Sequence, residues 1–89
     1  MKVTDIRIKL LNKDDIKLKA IASVTFDDEF VIHDVMVIQK QSGVFVAMPS
    51  RKAPSGEFRD TAHPINTEFR TYLSDCVIQA YNDALSKDN

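Results

Sequence analysis

The chain has 89 residues, 44% of them apolar and 28% charged, with a formal net charge of −1; this is one folded domain, spanning 1–89, and neither a disordered tail nor a surface that attracts polyanions as a whole. No apolar run is long enough for a membrane-spanning helix, and Met1-Lys2-Val3-Thr4-Asp5 becomes charged too early for a secretory signal. A lone cysteine, Cys76, cannot close an internal disulfide, so the expected location is the cytoplasm.

Residues 3–11, VTDIRIKLL, alternate with period two: Thr4, Ile6, Ile8 and Leu10 against Asp5, Arg7 and Lys9. That pattern predicts a half-buried strand. Asn12-Lys13-Asp14-Asp15 is a turn cluster. Residues 17–26 alternate again, with Leu18, Ala20, Ala22, Val24 and Phe26 on one face, so the first two strands form a hairpin. After the turn at Asp27-Asp28-Glu29, residues 30–38 are apolar on both faces. Strict alternation puts Phe30, Ile32, Met36 and Ile38 on one face and Val31, Val35 and Val37 on the other. A strand of that kind is usually covered on both sides. Lys40-Gln41-Ser42-Gly43 is the next turn, and residues 44–48 are a fourth strand, stopped by Pro49 and with Phe45 and Met48 expected in the core.

Residues 49–66 hold all three prolines and read as an irregular functional loop, anchored by Phe58 and Ile65. Residues 67–85 place Phe69, Tyr72/Leu73, Cys76/Val77, Ala80/Tyr81 and Ala84/Leu85 at helical spacing, with Asn66 as the N-cap and Cys76 as a small buried hydrophobe. The predicted fold class is α+β: an antiparallel β-sheet of at least four strands followed by a C-terminal helix. Four strands span roughly 15–20 Å, and one helix about 10 Å across covers about half of one face. The missing cover is expected from a second copy, in a homodimer.

Charge comes in blocks: +3 over residues 1–19, −4 over 20–39, +2 over 40–70 and −2 over 71–89. Such blocks are the ordinary pattern of solvated strands and helices. The adjacent cations Arg51-Lys52, just after Pro49-Ser50, are the local exception.

The run GVFVAMPSRKAPSGEFRDTAHPIN (Gly43 to Asn66), preceded by KAIASVTFDDEFVIHDVMVI (Lys19 to Ile38) and opened by VTDIRI (Val3 to Ile8), resembles the stage V sporulation protein G family. The most specific part is F-V-A-M-P-S followed by two basic residues, then G-E-F-R-D and H-P-I. The resemblance implies a small bacterial regulator linked to sporulation and septation, a homodimer with an antiparallel sheet and a C-terminal helical part, that binds DNA and RNA. The helix past Thr71 matches only in its apolar pattern, and the family often carries a longer acidic tail than the one ending here at Asn89.

Arg51 and Lys52 leave a strand end, where long cations reach phosphate oxygens and Arg can fork onto a phosphate or a guanine edge. A solvated basic pair is the plainer reading of composition alone, and the family position favours binding. Arg59 either extends that patch or pairs with Asp60 or Glu57. Arg70, in the first turn of the helix, opposes the helix dipole unless an anion faces it. Ser50 and Ser55 can donate to phosphate, although serine in a loop is usually turn chemistry.

Asp60/His63 and His33-Asp34 invite a catalytic reading. No serine or cysteine nucleophile with a matching base, no glycine-rich phosphate loop and no zinc-type spacing accompanies them, so no enzyme activity, cofactor, metal or small-molecule substrate is expected. His63 is expected to order its loop by a hydrogen bond. The alternative function is a protein-interaction module of the septation machinery, docking a partner by strand addition without touching nucleic acid.

Overall fold

The computed structural model describes residues 1–11 and 17–87. β1 (Val3–Leu10), β2 (Leu18–Phe26), β3 (Phe30–Lys40) and β4 (Gly43–Ala47) form one antiparallel sheet in the order β1-β2-β3-β4. A two-stranded ribbon, β5 (Ser50–Lys52) and β6 (Phe58–Asp60), follows, and then helix α1 (Thr67–Lys87). The class is α+β, as the patterning predicts. The Asn12–Asp15 turn lies outside the described residues.

The core forms where the helix stripe meets one sheet face. Leu73, Val77 and Tyr81 are buried at four-residue steps, with Phe69 packed one turn earlier. They meet Ala20, Ala22, Val24 and Phe26 of β2, Val35 and Val37 of β3, and Met48. Ile6, Ile8 and Leu10 of β1 and Val44 and Val46 of β4 close the flanks. Each large apolar side chain buried here contributes about 1.5–3 kcal/mol. Cys76 is only half-buried, and Tyr72 and Leu85 are exposed, so the stripe is narrower than the spacing implies.

Strand β3 departs from strict alternation. Ala22 pairs with Val35 but Val24 pairs with Ile32, so His33 and Asp34 fit one extra residue into β3. Asp34 adopts φ 64°, a left-handed conformation that Asp tolerates better than most residues. The bulge moves Val35 and Val37 onto the same face as Ile32, beneath the helix. The expected grouping of Ile32 with Met36 and Ile38 is therefore corrected. Register puts Val31, Met36 and Ile38 on the opposite, open face, beside Ile21, Phe45 and Ala47. Phe45, 44% exposed, is on that open face and not in the core, with the Lys40 Nζ 5.3 Å from its ring centre.

The turn after β2 is held by the chain start. Asp27 and Asp28 are both left-handed, and the Glu29 N–H donates to the Phe26 carbonyl at 2.9 Å. The turn thus has two left-handed central residues and joins the paired Phe26 and Phe30 through a three-residue connection. Lys2 and Asp27 exchange hydrogen bonds, and the Asp28 N–H donates to Thr4 Oγ1. The Val3 N–H donates to Tyr72 Oη at 3.0 Å, which ties β1 to the helix.

Asn66 caps α1 as expected: its Oδ1 accepts from the Phe69 N–H at 2.7 Å. This fixes the helix start beside a chain of rings, Phe26, Phe69 and Tyr72, with centroids 5.7–5.9 Å apart. Asn66→Ala is expected to lower stability by about 1 kcal/mol in urea unfolding, while Asn66→Asp keeps it within a few tenths. Equal loss in both would show that the cap bond is not what holds this end.

Candidate nucleic-acid interface

Residues 49–66 are more regular than an irregular loop. Pro49 ends pairing on β4, and the chain then makes a separate hairpin. Ser50 pairs with Asp60, Arg51 with Arg59 and Lys52 with Phe58. The turn is closed by Ala53 N–H to Glu57 O at 2.7 Å and Gly56 N–H to Ala53 O at 2.9 Å. Gly56 adopts φ 92°, where a side chain would be strained. At the base, the Thr61 N–H and hydroxyl both donate to the Pro49 carbonyl, at 2.8 and 3.1 Å. Among the described residues the ribbon makes no close backbone contact with the sheet or with α1.

Period-two alternation gives the ribbon two chemically different faces. Arg51 and Arg59, directly opposite, share one. Lys52 and Phe58 share the other with Ser50 and Asp60. All six residues are exposed. Directly opposed side chains have Cβ atoms about 4.5–5.5 Å apart, and like charges so placed are destabilising. Neither arginine forms an ion pair among the described residues, so the expected alternative, Arg59 with Asp60 or Glu57, is not what the structure contains. An anion between the two guanidinium groups would turn the repulsion into two attractions, and the planar forks suit phosphate oxygens.

Arg51, Lys52 and Arg59 line one shallow cleft with Pro54, Asp60 and Thr61. Arg70 is not part of that lining; it is exposed on the helix, its backbone N–H donating to the Asn66 carbonyl at 3.2 Å. Three of the four candidate cations therefore come together, and Arg70 does not join them. Phe58 and Ile65 are 73% and 92% exposed, so neither anchors the segment as expected. Leaving the Phe58 ring in water forgoes the roughly 1.5–3 kcal/mol of its burial. Sequence alternation could have exposed the ribbon only weakly, because three-residue strands are too short to show a period.

The histidines are otherwise engaged. His63 Nδ1 donates to the Pro64 carbonyl at 2.9 Å and makes no bond to Asp60. His33 Nδ1 is hydrogen-bonded to Ser23 Oγ at 2.9 Å, which ties β2 to the bulge. Among the described residues, no three His, Cys, Asp or Glu side chains gather in a way that could hold a metal. No described helix is long and apolar enough to cross a membrane.

The SpoVG family model matches residues 1–83. The chain is 52% identical over 88 residues to a protein of Clostridium beijerinckii, covering 99% of this chain and 96% of that one. It is 54% identical over 85 residues to a protein of Clostridioides difficile, covering 96% and 91%. A Caldanaerobacter subterraneus protein matches at 54% over 84 residues, covering 94% and 91%. All three bear the name "Putative septation protein SpoVG". The match runs through the F-V-A-M-P-S, G-E-F-R-D and H-P-I segments that build β4, β6 and the entry to α1, and the chain belongs to the SpoVG family.

Proposed function

We propose that this chain is a nucleic-acid-binding regulator acting in sporulation and septation, in the cytoplasm, as a homodimer. The observation that carries the reading is the exposed cross-strand pair of Arg51 and Arg59, with Lys52 beside it and no acidic partner among the described residues. A chain of net charge −1 binds a polyanion only through a local feature of this kind. Arg51, Lys52 and Arg59 grip phosphate oxygens, and Arg70 is a lesser contact.

The homodimer rests on the open sheet face. Ile21, Val31, Met36, Ile38, Phe45 and Ala47 form an apolar surface with no helix over it. A second copy laid on it, with the sheets about 10 Å apart, buries those side chains and doubles the number of ribbons. Size-exclusion chromatography is expected to give roughly twice the 10.1 kDa chain mass, and Phe45→Asp or Met36→Asp to halve it. Elution of wild type at the monomer mass contradicts the dimer.

Binding is tested by fluorescence anisotropy with duplex DNA, single-stranded DNA and RNA, at about 50 and about 200 mM salt. Phosphate contacts weaken binding with a log–log slope of about −0.9 per phosphate neutralised on duplex DNA. Arg51→Ala/Arg59→Ala is expected to weaken binding at least tenfold and to flatten the slope by about two for each chain engaged. Binding of unchanged strength and slope moves the site elsewhere. No binding to any probe favours the protein-interaction module, whose docking by strand addition depends little on salt.

A further inference from the structure

Phe58 is a large apolar side chain left exposed by the fold. Among the described residues it pairs with no other ring and no cation sits over it, whereas Phe26, Phe30, Phe69 and Tyr72 form a packed series and Phe45 carries Lys40. Its ring is 73% exposed, on a ribbon that among the described residues makes no close backbone contact with the sheet or the helix. It lies directly across from Lys52, and the next residue, Arg59, belongs to the arginine pair on the other face. Its backbone is placed by the hairpin: Phe58 is paired with Lys52 in the ladder, Arg59 follows it there, and the turn and base are closed by their own bonds.

We propose that Phe58 is a stacking platform for one unpaired base, and that the ribbon therefore prefers single-stranded nucleic acid to duplex. The inference rests on the nucleic-acid reading above. The physical argument is the division of chemistry between the two faces. Bases offer a π-face of any sequence, and an exposed ring beside cations is how sequence-tolerant single-strand sites are built. Arg51 and Arg59 take backbone phosphates on one side of the ribbon. A flexible single strand can bend around so thin an element and lay its next base on Phe58, with Lys52 reaching the phosphate of that nucleotide. In a duplex the bases are already stacked and paired, and extruding one has its own energetic cost. Duplex binding is left with phosphate contacts alone.

The test uses the full chain and an oligothymidylate of about ten nucleotides, within the site sizes typical of single-strand grooves, beside a mixed-sequence duplex of similar length. Phe58→Ala is expected to weaken oligothymidylate binding about tenfold while duplex binding changes less than twofold. Its salt slope stays that of wild type, because no phosphate contact is lost. Phe58→Trp is expected to keep or strengthen single-strand binding, with its indole fluorescence quenched as the base stacks. Elution and melting of both variants are measured beside wild type.

Several results overturn the inference. One is Phe58→Ala binding both probes as wild type does; another is equal weakening for duplex and single strand; a third is an unquenched Phe58→Trp in the complex. A changed elution volume in Phe58→Ala would place the ring at a subunit contact instead. In each of these wild type still binds, so only the stacking role fails. Wild type that binds neither probe removes the nucleic-acid reading and this one with it.

Discussion

A single helix covers this sheet, and the arrangement of the molecule follows from that constraint. The stripe of Phe69, Leu73, Val77 and Tyr81 can bury only one face of four strands. The strand beneath it presents the small side chains Ala20 and Ala22 together with Val24 and Phe26. The flanking strands supply the larger groups, Ile6, Ile8 and Leu10 on one side and Val44 and Val46 on the other, to fill the space beside the helix. The bulge at His33-Asp34 serves the same end. Were His33 and Asp34 both to follow strict alternation, Val35 and Val37 would face away from the helix and the core would lose two fully buried side chains.

The opposite face is what remains. Its apolar residues are the ones that the bulge and the single helix leave unclaimed, and they form the surface proposed for a second copy. The ribbon is a further consequence of the same economy. Pro49 cannot extend the ladder of β4, so the chain leaves the sheet there and pairs with itself. A two-stranded hairpin alone is marginally stable in water. This one has its turn and base tied by backbone bonds, and it carries two opposed arginines that lower its stability further. Residues that weaken an element they belong to are expected where function, and not folding, selects them.

Much of the fold was legible in the patterning. The alternation of Ile6, Ile8 and Leu10 and of Ala20, Ala22, Val24 and Phe26 identified both strands and the buried face of each. Asn66 was readable as a cap because a short polar side chain precedes the first helical turn. The faces of β3 were not legible, since a bulge shifts the period at one residue and Val, Ile and Met lie on both sides of it. Phe45 looked like core for the same reason: an apolar residue in a strand does not say which face is covered. Arg51 and Lys52 stood out as adjacent cations, but the pairing of Arg51 with Arg59 depends on hairpin register, and strands of three residues carry no readable period. Phe58 looked like an anchor because exposure is a property of the folded surroundings and not of residue type.

The central proposal is that nucleic acid binds chiefly at the β5–β6 ribbon, with Arg70 on the helix a lesser contact. The most direct measurement is a backbone-amide and arginine side-chain NMR titration of the isotope-labelled chain with a short single-stranded oligonucleotide. The account predicts that the largest shifts fall on Arg51, Lys52, Phe58 and Arg59, with the Arg51 and Arg59 guanidinium signals moving together and the open face of the sheet unmoved. Shifts concentrated on the helix or on the open sheet face, with the ribbon signals unchanged, would contradict it.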